Sequence, residues 1–191
     1  METFPYPTQN HETILALGAE SAGNFAVFHN GLISHSEDFG DLLKEDNLKK
    51  FKKAVLSFLR KEKMKPTIVL TDLHPLYKTT ILGQELSKKY KAKHIQIQHH
   101  VAHIFSQIKN TRYEIPNTIY GVALDGTGYG NDGKSWGGEA FHLQVTGSGL
   151  QVTKIGHLEN QIMIGGELAI KEPARILISI LSKFLSKEEV Y

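Results

Sequence analysis

The sequence contains no cysteine among its 191 residues. This absence excludes disulfide bonds, zinc knuckles and a cysteine nucleophile. No apolar run approaches the roughly 18 residues that a membrane-spanning helix needs. Residues 1–7 also lack the basic and apolar regions of a signal peptide. We therefore expect a protein that works in the cytoplasm and has no membrane partner.

The excess of positive charge is small. Lysine and arginine number 22 and aspartate and glutamate 20, so the net charge is +2 with the histidines neutral. Nucleic-acid-binding surfaces carry a stronger basic bias, and the sequence therefore predicts no nucleic-acid partner. Hydrophobic residues make up 40% and charged residues 22% of the chain, as in ordinary globular proteins.

Short apolar runs that alternate with helical patterns predict an α/β fold. The run Ile14–Leu17 and the runs on either side of Asn30-Gly31 are expected to form a meander of three strands. Residues 46–64 and 170–185 have apolar side chains at helical spacing and predict helices. Further expected elements are a helix from His99 toward Lys109 and a hairpin of residues 136–143 and 150–155, joined at Gly147-Ser148-Gly149.

At 191 residues the chain is long enough for one substantial core or for two small lobes. Residues 1–12 contain two prolines and predict an extended arm. Residues 186–191 are polar and predict a frayed tail.

Three histidines stand close together in the segment Gln98–His103. If this segment is helical, His99 and His103 are four residues apart and project from the same face. Two neutral imidazoles in that arrangement bind a divalent metal without bending the backbone. His100 projects elsewhere and is the weaker ligand candidate. The alternative, which is more common for histidines in general, is that these side chains make hydrogen bonds within a core.

A glycine-rich segment follows the apolar run that ends at Leu124. Its first residue, Asp125, offers an oxygen ligand to the same metal. The glycines let backbone N–H groups approach a phosphate, and this predicts a phosphate-binding loop. The candidate phosphate- or nucleotide-binding residues are Gly126, Thr127, Gly128, Gly130 and Asp132. A simple turn is the alternative, because Asn-Asp-Gly also favours turns.

Asp72 and His74 follow a third apolar run and are candidate catalytic residues. Ligands bind at the carboxyl ends of strands in α/β sheets, and a histidine there suits proton transfer near neutral pH. The alternative is that Asp72 caps a helix that begins near Tyr77 while His74 only packs. Asp72, His99 and Asp125 each follow a predicted strand, so we expect them to converge on one edge of one sheet.

The order of the motifs resembles one protein family. The motifs are Thr71-Asp-Leu-His-Pro75, Gln98-His-His-Val-Ala-His103, Asp125-Gly-Thr-Gly-Tyr-Gly130, Trp136-Gly-Gly-Glu139, Gly165-Gly166 and Glu172-Pro173. Together they resemble the C-terminal carbamoyl-transfer region of the hydrogenase maturation carbamoyltransferase family, HypF. That region is similar to the enzymes that place threonylcarbamoyl on tRNA. The resemblance covers residues 13–183.

The resemblance implies the fold of actin, sugar kinases and heat-shock chaperones, in which a nucleotide lies between two lobes. It also implies that ATP and carbamoyl phosphate give a carbamoyl-adenylate. The carbamoyl group then passes to the C-terminal cysteine of a HypE partner and becomes a cyanide ligand of nickel–iron hydrogenase.

By position in the motifs, the resemblance implies that His99 and His103 hold an iron or zinc ion, with Asp125 as a further ligand. The glycines of residues 126–130 would lie beside the phosphate, and Asp72 and His74 would line the carbamoyl end. Transfer to a thiol develops negative charge on the carbonyl oxygen and the departing phosphate, which a metal ion can neutralise.

The family continues beyond this chain with a second lobe. The resemblance therefore implies a first lobe only, which spans residues 13–185 and has a mixed sheet flanked by helices. A second-lobe chain or a homodimer would complete it for carbamoyl transfer. An alternative is a non-catalytic half-lobe that acts as a binding or accessory module of a maturation or related carbamoylation complex. A third interpretation is that the sequence is part of a longer enzyme.

Overall fold

A computed structural model gives the fold and describes residues 1–6, 8, 10–108, 117–147 and 149–190. The strands are β1 (Glu2–Pro5), β2 (Ile14–Leu17), β3 (Phe25–His29), β4 (Leu32–His35), β5 (Ile68–Asp72), β6 (Lys93–Ile97), β7 (Thr118–Tyr129), β8 (Ser135–Thr146) and β9 (Gly149–His157). The helices are α1 (Glu45–Lys61), α2 (Lys78–Tyr90), α3 (His99–Ile108), α4 (Leu168–Lys171), α5 (Ala174–Leu181) and α6 (Lys187–Val190). The predictions for Pro7 and Gln9 of the arm, Lys109, Ser148 and Tyr191 lie outside the described residues.

The chain divides into two compact units, Met1–His99 and His100–Tyr191. The single lobe over residues 13–185 stays a prediction. Each unit has a sheet of its own, with strands β1–β6 in the first and β7–β9 in the second. Asp125 therefore lies on a different sheet from Asp72. The prediction that both lie at one edge of one sheet is wrong. The reason is pairing: β7, β8 and β9 are consecutive strands that join by short turns, so they complete a sheet by themselves.

The sheet of the first unit is mixed and has the strand order β1-β4-β3-β2-β5-β6. The meander β2-β3-β4 is antiparallel, and its second turn uses positive φ angles at Asn30 and Gly31. The pairs β2–β5 and β5–β6 are parallel, and α1 and α2 make the crossover connections that parallel strands need. This mixed sheet with its helices confirms the predicted α/β fold class.

The core of the first unit is formed by the sheet, α1 and α2, which contributes Leu82 and Leu86. Phe51, Val55 and Leu59 recur every four residues along α1 and are at most 1% exposed. They pack in one cluster with alternate residues of β2 and β3, including Leu15 and Phe25. This helix begins one residue earlier and ends three residues earlier than the predicted span of 46–64, and its N-cap, Lys44, makes no side-chain cap.

The N-terminal arm is part of the sheet. Residues Glu2–Pro5 form β1 and pair with β4 in antiparallel register, with Glu2 opposite His35. The sequence predicted only an extended arm over residues 1–12, because nothing local specifies a partner strand. The exposed edge of β4 supplies unpaired backbone groups, and the arm satisfies them.

The glycine-rich segment is a continuation of β7 rather than a loop. Gly128 and Tyr129 pair with Trp136 and Ser135 of β8, and the register shifts between Leu124 and Gly128. Glycine permits such an irregularity, and the partner strand β8 keeps the backbone extended beyond it. The turn itself comes later, where the Gly133 N–H donates to the carbonyl of Gly130.

The helix predicted over residues 170–185 is interrupted. Glu172 has φ −123° and ψ 83° and separates α4 from α5, which has Pro173 as its N-cap. A residue before proline is pushed out of the α region, so the proline starts a new helix here. Residues of the predicted frayed tail form the short helix α6. Within the described ranges, no helix is both long and apolar enough to cross a membrane.

Candidate metal centre

Helix α3 carries the two candidate histidine ligands. Its first residue is His99, and His103 follows one helical turn later on the same face. Because both residues belong to α3, the backbone of this one helix sets the spacing of the two imidazoles. The His99 side chain is 16% exposed and that of His103 is 52% exposed. The His103 ring is therefore open to solvent, and the His99 ring is mostly covered.

Asp125 supplies the third donor. Its Oδ1 accepts a hydrogen bond from the Gly126 N–H at 2.7 Å, and its Oδ2 lies 3.7 Å from His103 Nε2. One donor atom from each of His99, His103 and Asp125 can be chosen so that all three lie within 4.8 Å of one another. Ligands at about 2.1 Å from zinc are about 3.5 Å apart, so the three side chains would have to move only slightly to bind one ion. Two imidazoles and a carboxylate suit zinc and iron equally.

Asp72 holds the first histidine. It is the last residue of β5, and its Oδ2 lies 2.6 Å from His99 Nδ1. An ionised carboxylate only accepts hydrogen bonds, so Nδ1 is the donor in this contact, and Nε2 would offer the lone pair to a metal when the ring is neutral. Carboxylates behind metal-binding histidines fix the tautomer in this way. The sequence predicted a catalytic role for Asp72 and gave no indication that it contacts His99.

The other oxygen of Asp72 shapes the loop after β5. Asp72 Oδ1 accepts a hydrogen bond from the His74 N–H at 2.8 Å. Helix α2 begins at Lys78, and its N-cap, Tyr77, makes no side-chain cap. The alternative in which Asp72 caps this helix is therefore wrong. The His74 ring stacks on Tyr77 with centroids 4.1 Å apart and a tilt of 11°.

Replacement of Asp72 by asparagine is expected to weaken metal binding while the fold is kept. The substitution would place a neutral amide where His99 Nδ1 needs a charged acceptor, and loss of such a carboxylate weakens metal affinity about 10- to 100-fold. Competition of zinc with a chromophoric chelator measures this. Asp38→Asn is the matched control, because Asp38 also accepts a backbone N–H, that of Gly40, in a surface turn. Equal affinity in both variants would contradict the role of Asp72.

The predicted phosphate-binding residues are distributed over β7 and the turn after it. Space is open at Gly126, where an added Cβ would meet no atom within 4 Å. At Gly130 an added Cβ would lie 2.3 Å from the Trp136 indole nitrogen, so this glycine is needed for packing. In the turn, the backbone N–H of Lys134 lowers the pKa of Asp132 below its usual value. Phosphate binding by these residues and by Thr127 and Gly128 stays a prediction.

Two buried side chains, His100 and Glu139, lie near Asp125, and the sequence did not predict that they lie close to each other. His100 is fully buried, and its Nε2 lies 3.9 Å from Asp125 Oδ2 and 3.6 Å from Glu139 Oε2. The alternating pattern of β8 indicates that Glu139 is buried, because it lies on the same strand face as Phe141 and Leu143. A carboxylate at a core position of a strand is the feature that would have identified it.

Comparison with known proteins shows the family. Residues 9–110 match the family model described as "HypF Kae1-like domain". Residues 121–191 match the model described as "Carbamoyltransferase, Kae1-like Domain, second subdomain". The second match lies almost wholly within residues 13–185, the range that the resemblance had assigned to one lobe. A probable carbamoyltransferase HypF from Methanocaldococcus jannaschii is 34% identical over 180 residues, which are 94% of this chain and 23% of the relative.

Two solved structures are similar over nearly the whole chain. The crystal structure of T. kodakarensis HypF gives a TM-score of 0.82 at 35% identity and covers 97% of this chain and 24% of the other. Full-length HypF in a phosphate- and nucleotide-bound form gives 0.78 at 25% identity, with 97% and 30% covered. The chain thus spans less than a third of the length of these relatives. Because the first family model matches more than half of its residues, the chain belongs to the HypF carbamoyltransferase family.

Proposed function

We propose that the chain forms the metal-binding part of a carbamoyltransferase of nickel–iron hydrogenase maturation. It would act in the cytoplasm on a carbamoyl-adenylate made from ATP and carbamoyl phosphate. The acceptor would be the C-terminal cysteine of a HypE-like protein, and further HypF regions or a second copy would complete the site. The observation that carries this proposal is the cluster of His99, His103 and Asp125 in a member of the HypF family.

The proposed reaction is an acyl-type transfer. A sulfur–carbon bond forms between the cysteine and the carbamoyl carbon, and the bond from that carbon to the adenylate oxygen breaks. AMP leaves, and the thiol proton passes to a base. A divalent ion bound to His99, His103 and Asp125 would supply fixed positive charge near the carbonyl oxygen.

The residues of the chain would prepare the site for this ion and for the substrate. Asp72 keeps the Nδ1 proton of His99 in place, so that Nε2 presents its lone pair. The Gly126 N–H fixes one oxygen of Asp125, and Oδ2 is directed to the His103 side. The open space at Gly126 gives room for a phosphate next to the site.

We expect His74 to act as the proton-transfer residue. Support comes from its position in the loop after β5, where its backbone N–H donates to the same Asp72 carboxylate that contacts the His99 ring. Replacement of His74 by alanine is then expected to lower carbamoyl transfer by about 10²-fold or more, the usual effect of losing a general acid or base. Thermal stability should change little, because the ring is only partly buried and stacks on a single tyrosine.

The test measures transfer of radiolabelled carbamoyl from carbamoyl phosphate to a protein acceptor ending in cysteine. The reaction contains ATP, this chain and the remaining HypF regions as a separate chain. Leu76→Ala is the matched control, because Leu76 lies in the same loop and is 73% exposed. Loss of stability without loss of transfer in His74→Ala would assign His74 a packing role. Failure of the wild-type chain to support transfer, while it still binds the other chain, would favour an accessory binding module.

A further inference from the structure

A carboxylate occupies a core position of the second unit. Glu139 of β8 is 4% exposed, and its neighbours on the same strand face, Phe141 and Leu143, are 2% and 0% exposed. The latter two pack with Val101 and Ile104 of α3 in the hydrophobic cluster of this unit. Burial of a carboxylate costs free energy unless other groups compensate it, and an apolar residue would fill this position more favourably. Packing therefore gives no reason for a glutamate here.

The contacts of Glu139 point toward the metal ligands. Its Oε2 lies 3.6 Å from Nε2 of His100, a side chain with no exposed surface. The same His100 nitrogen lies 3.9 Å from Oδ2 of Asp125. His100 also stacks against Trp136, with centroids 6.4 Å apart, so its ring has little freedom to turn. A buried imidazole thus stands between the Glu139 carboxylate and the candidate ligand oxygen.

The charges around Glu139 partly compensate its burial. Burial raises the pKa of the Glu139 carboxyl above its usual value, and a hydrogen bond from the Gly137 backbone and the charges of Lys154 and His157 oppose this. His157 is directly opposite Glu139 in the β8–β9 register. Several residues of the second unit therefore contribute to keeping this acid in place.

We infer that Glu139 is a positioning residue for Asp125 and acts through His100. Glu139 Oε2 faces His100 Nε2 at 3.6 Å, and the same nitrogen faces Oδ2 of Asp125 at 3.9 Å, so the three groups are close enough for the position of one to limit the others. Asp125 Oδ1 is fixed by the Gly126 N–H, and the buried His100 ring then limits how far Oδ2 can turn away from His103. The inference rests on the proposed function, because Asp125 acts as a metal ligand only there.

The experiment uses Co²⁺ as a probe of the site in the full chain. Affinity comes from competition with a chelator, and ligand geometry from the visible absorption bands of the bound ion. Glu139→Gln keeps the side-chain shape and should weaken Co²⁺ binding about 10- to 100-fold, the usual effect of losing a residue behind a metal ligand. The absorption bands should shift, and circular dichroism should show that the variant is folded.

Two further variants test whether Glu139 acts through its contact with His100 or through its negative charge alone. Glu139→Asp keeps the charge but retracts the oxygens from His100, and it should weaken Co²⁺ binding like Glu139→Gln. His100→Gln combined with Glu139→Gln should bind Co²⁺ no more weakly than the worse single variant, because residues that act in series are not additive. Glu159→Gln is the matched control and should bind like the wild type, since Glu159 is an exposed residue paired with Lys183.

The outcomes distinguish this inference from the proposed function. Wild-type affinity and bands in Glu139→Gln would overturn the inference and leave the metal site intact. Fully additive losses in the double variant would also overturn it, because Glu139 would then act independently of His100. Absence of Co²⁺ binding by the folded wild-type chain would overturn the metal site itself, and the inference with it.

Discussion

Simultaneous replacement of His99 and His103 by alanine is expected to remove the bound divalent metal. Two of the three candidate donors are lost, and one carboxylate with water cannot hold zinc or iron against a chelator. We expect metal content to fall from about one ion per chain to the background of the preparation. The measurement is elemental analysis of protein purified without a histidine tag, followed by zinc titration.

A matched double variant controls for the general loss of imidazoles. His11→Ala/His35→Ala removes two exposed histidines that have no part in the proposed site. This control should keep its metal. Equal metal content in the His99→Ala/His103→Ala variant and the wild type would refute the site, and circular dichroism would show that both proteins are folded.

Replacement of Phe51 by alanine is expected to produce the largest loss of stability among these variants. Phe51 is fully buried in the first unit, with ring centroids 6.0 Å from Phe25 and 5.7 Å from Phe39, both in edge-on geometry. Truncation of a buried phenylalanine costs about 3–5 kcal/mol of the free energy of unfolding. Domains have about 5–15 kcal/mol in total, so this loss is a large fraction.

Urea denaturation monitored by circular dichroism measures this change. Lys53→Ala is the control on the same helix, because Lys53 is exposed and surface substitutions usually change stability by about 0.5 kcal/mol or less. A loss of about 1 kcal/mol or less for Phe51→Ala would show that the cluster repacks around the truncated side chain.

Local sequence patterns predicted the elements that position the histidines. The HxxxH spacing needs only an α-helix to place both rings on one face, and α3 supplies it. The Asn30-Gly31 turn and the meander on either side of it were likewise predictable, because positive φ angles at these residues match a hairpin turn. In each case the decisive contacts lie within a few residues.

Contacts between residues far apart in the chain could not be predicted from local sequence patterns. Asp72 and His99 are 27 residues apart, and only the parallel pairing of β5 with β6 brings the end of one strand near the start of α3. The glycine-rich segment was predicted as a loop, because glycine is common in turns, but pairing with β8 keeps much of it in β7. Which strands pair with each other depends on the tertiary fold.

The sequence by itself determined the family resemblance, the α/β class and the face of α3 that carries His99 and His103, because these depend on motif order and local periodicity. The tertiary structure alone decided that the chain has two sheets, that Asp72 holds His99, and that Glu139 and His100 lie buried beside Asp125. Burial and long-range pairing arise only when distant segments pack together. The same carboxylate can be a surface charge, a helix cap or a partner of a metal ligand, and its neighbours in space determine which.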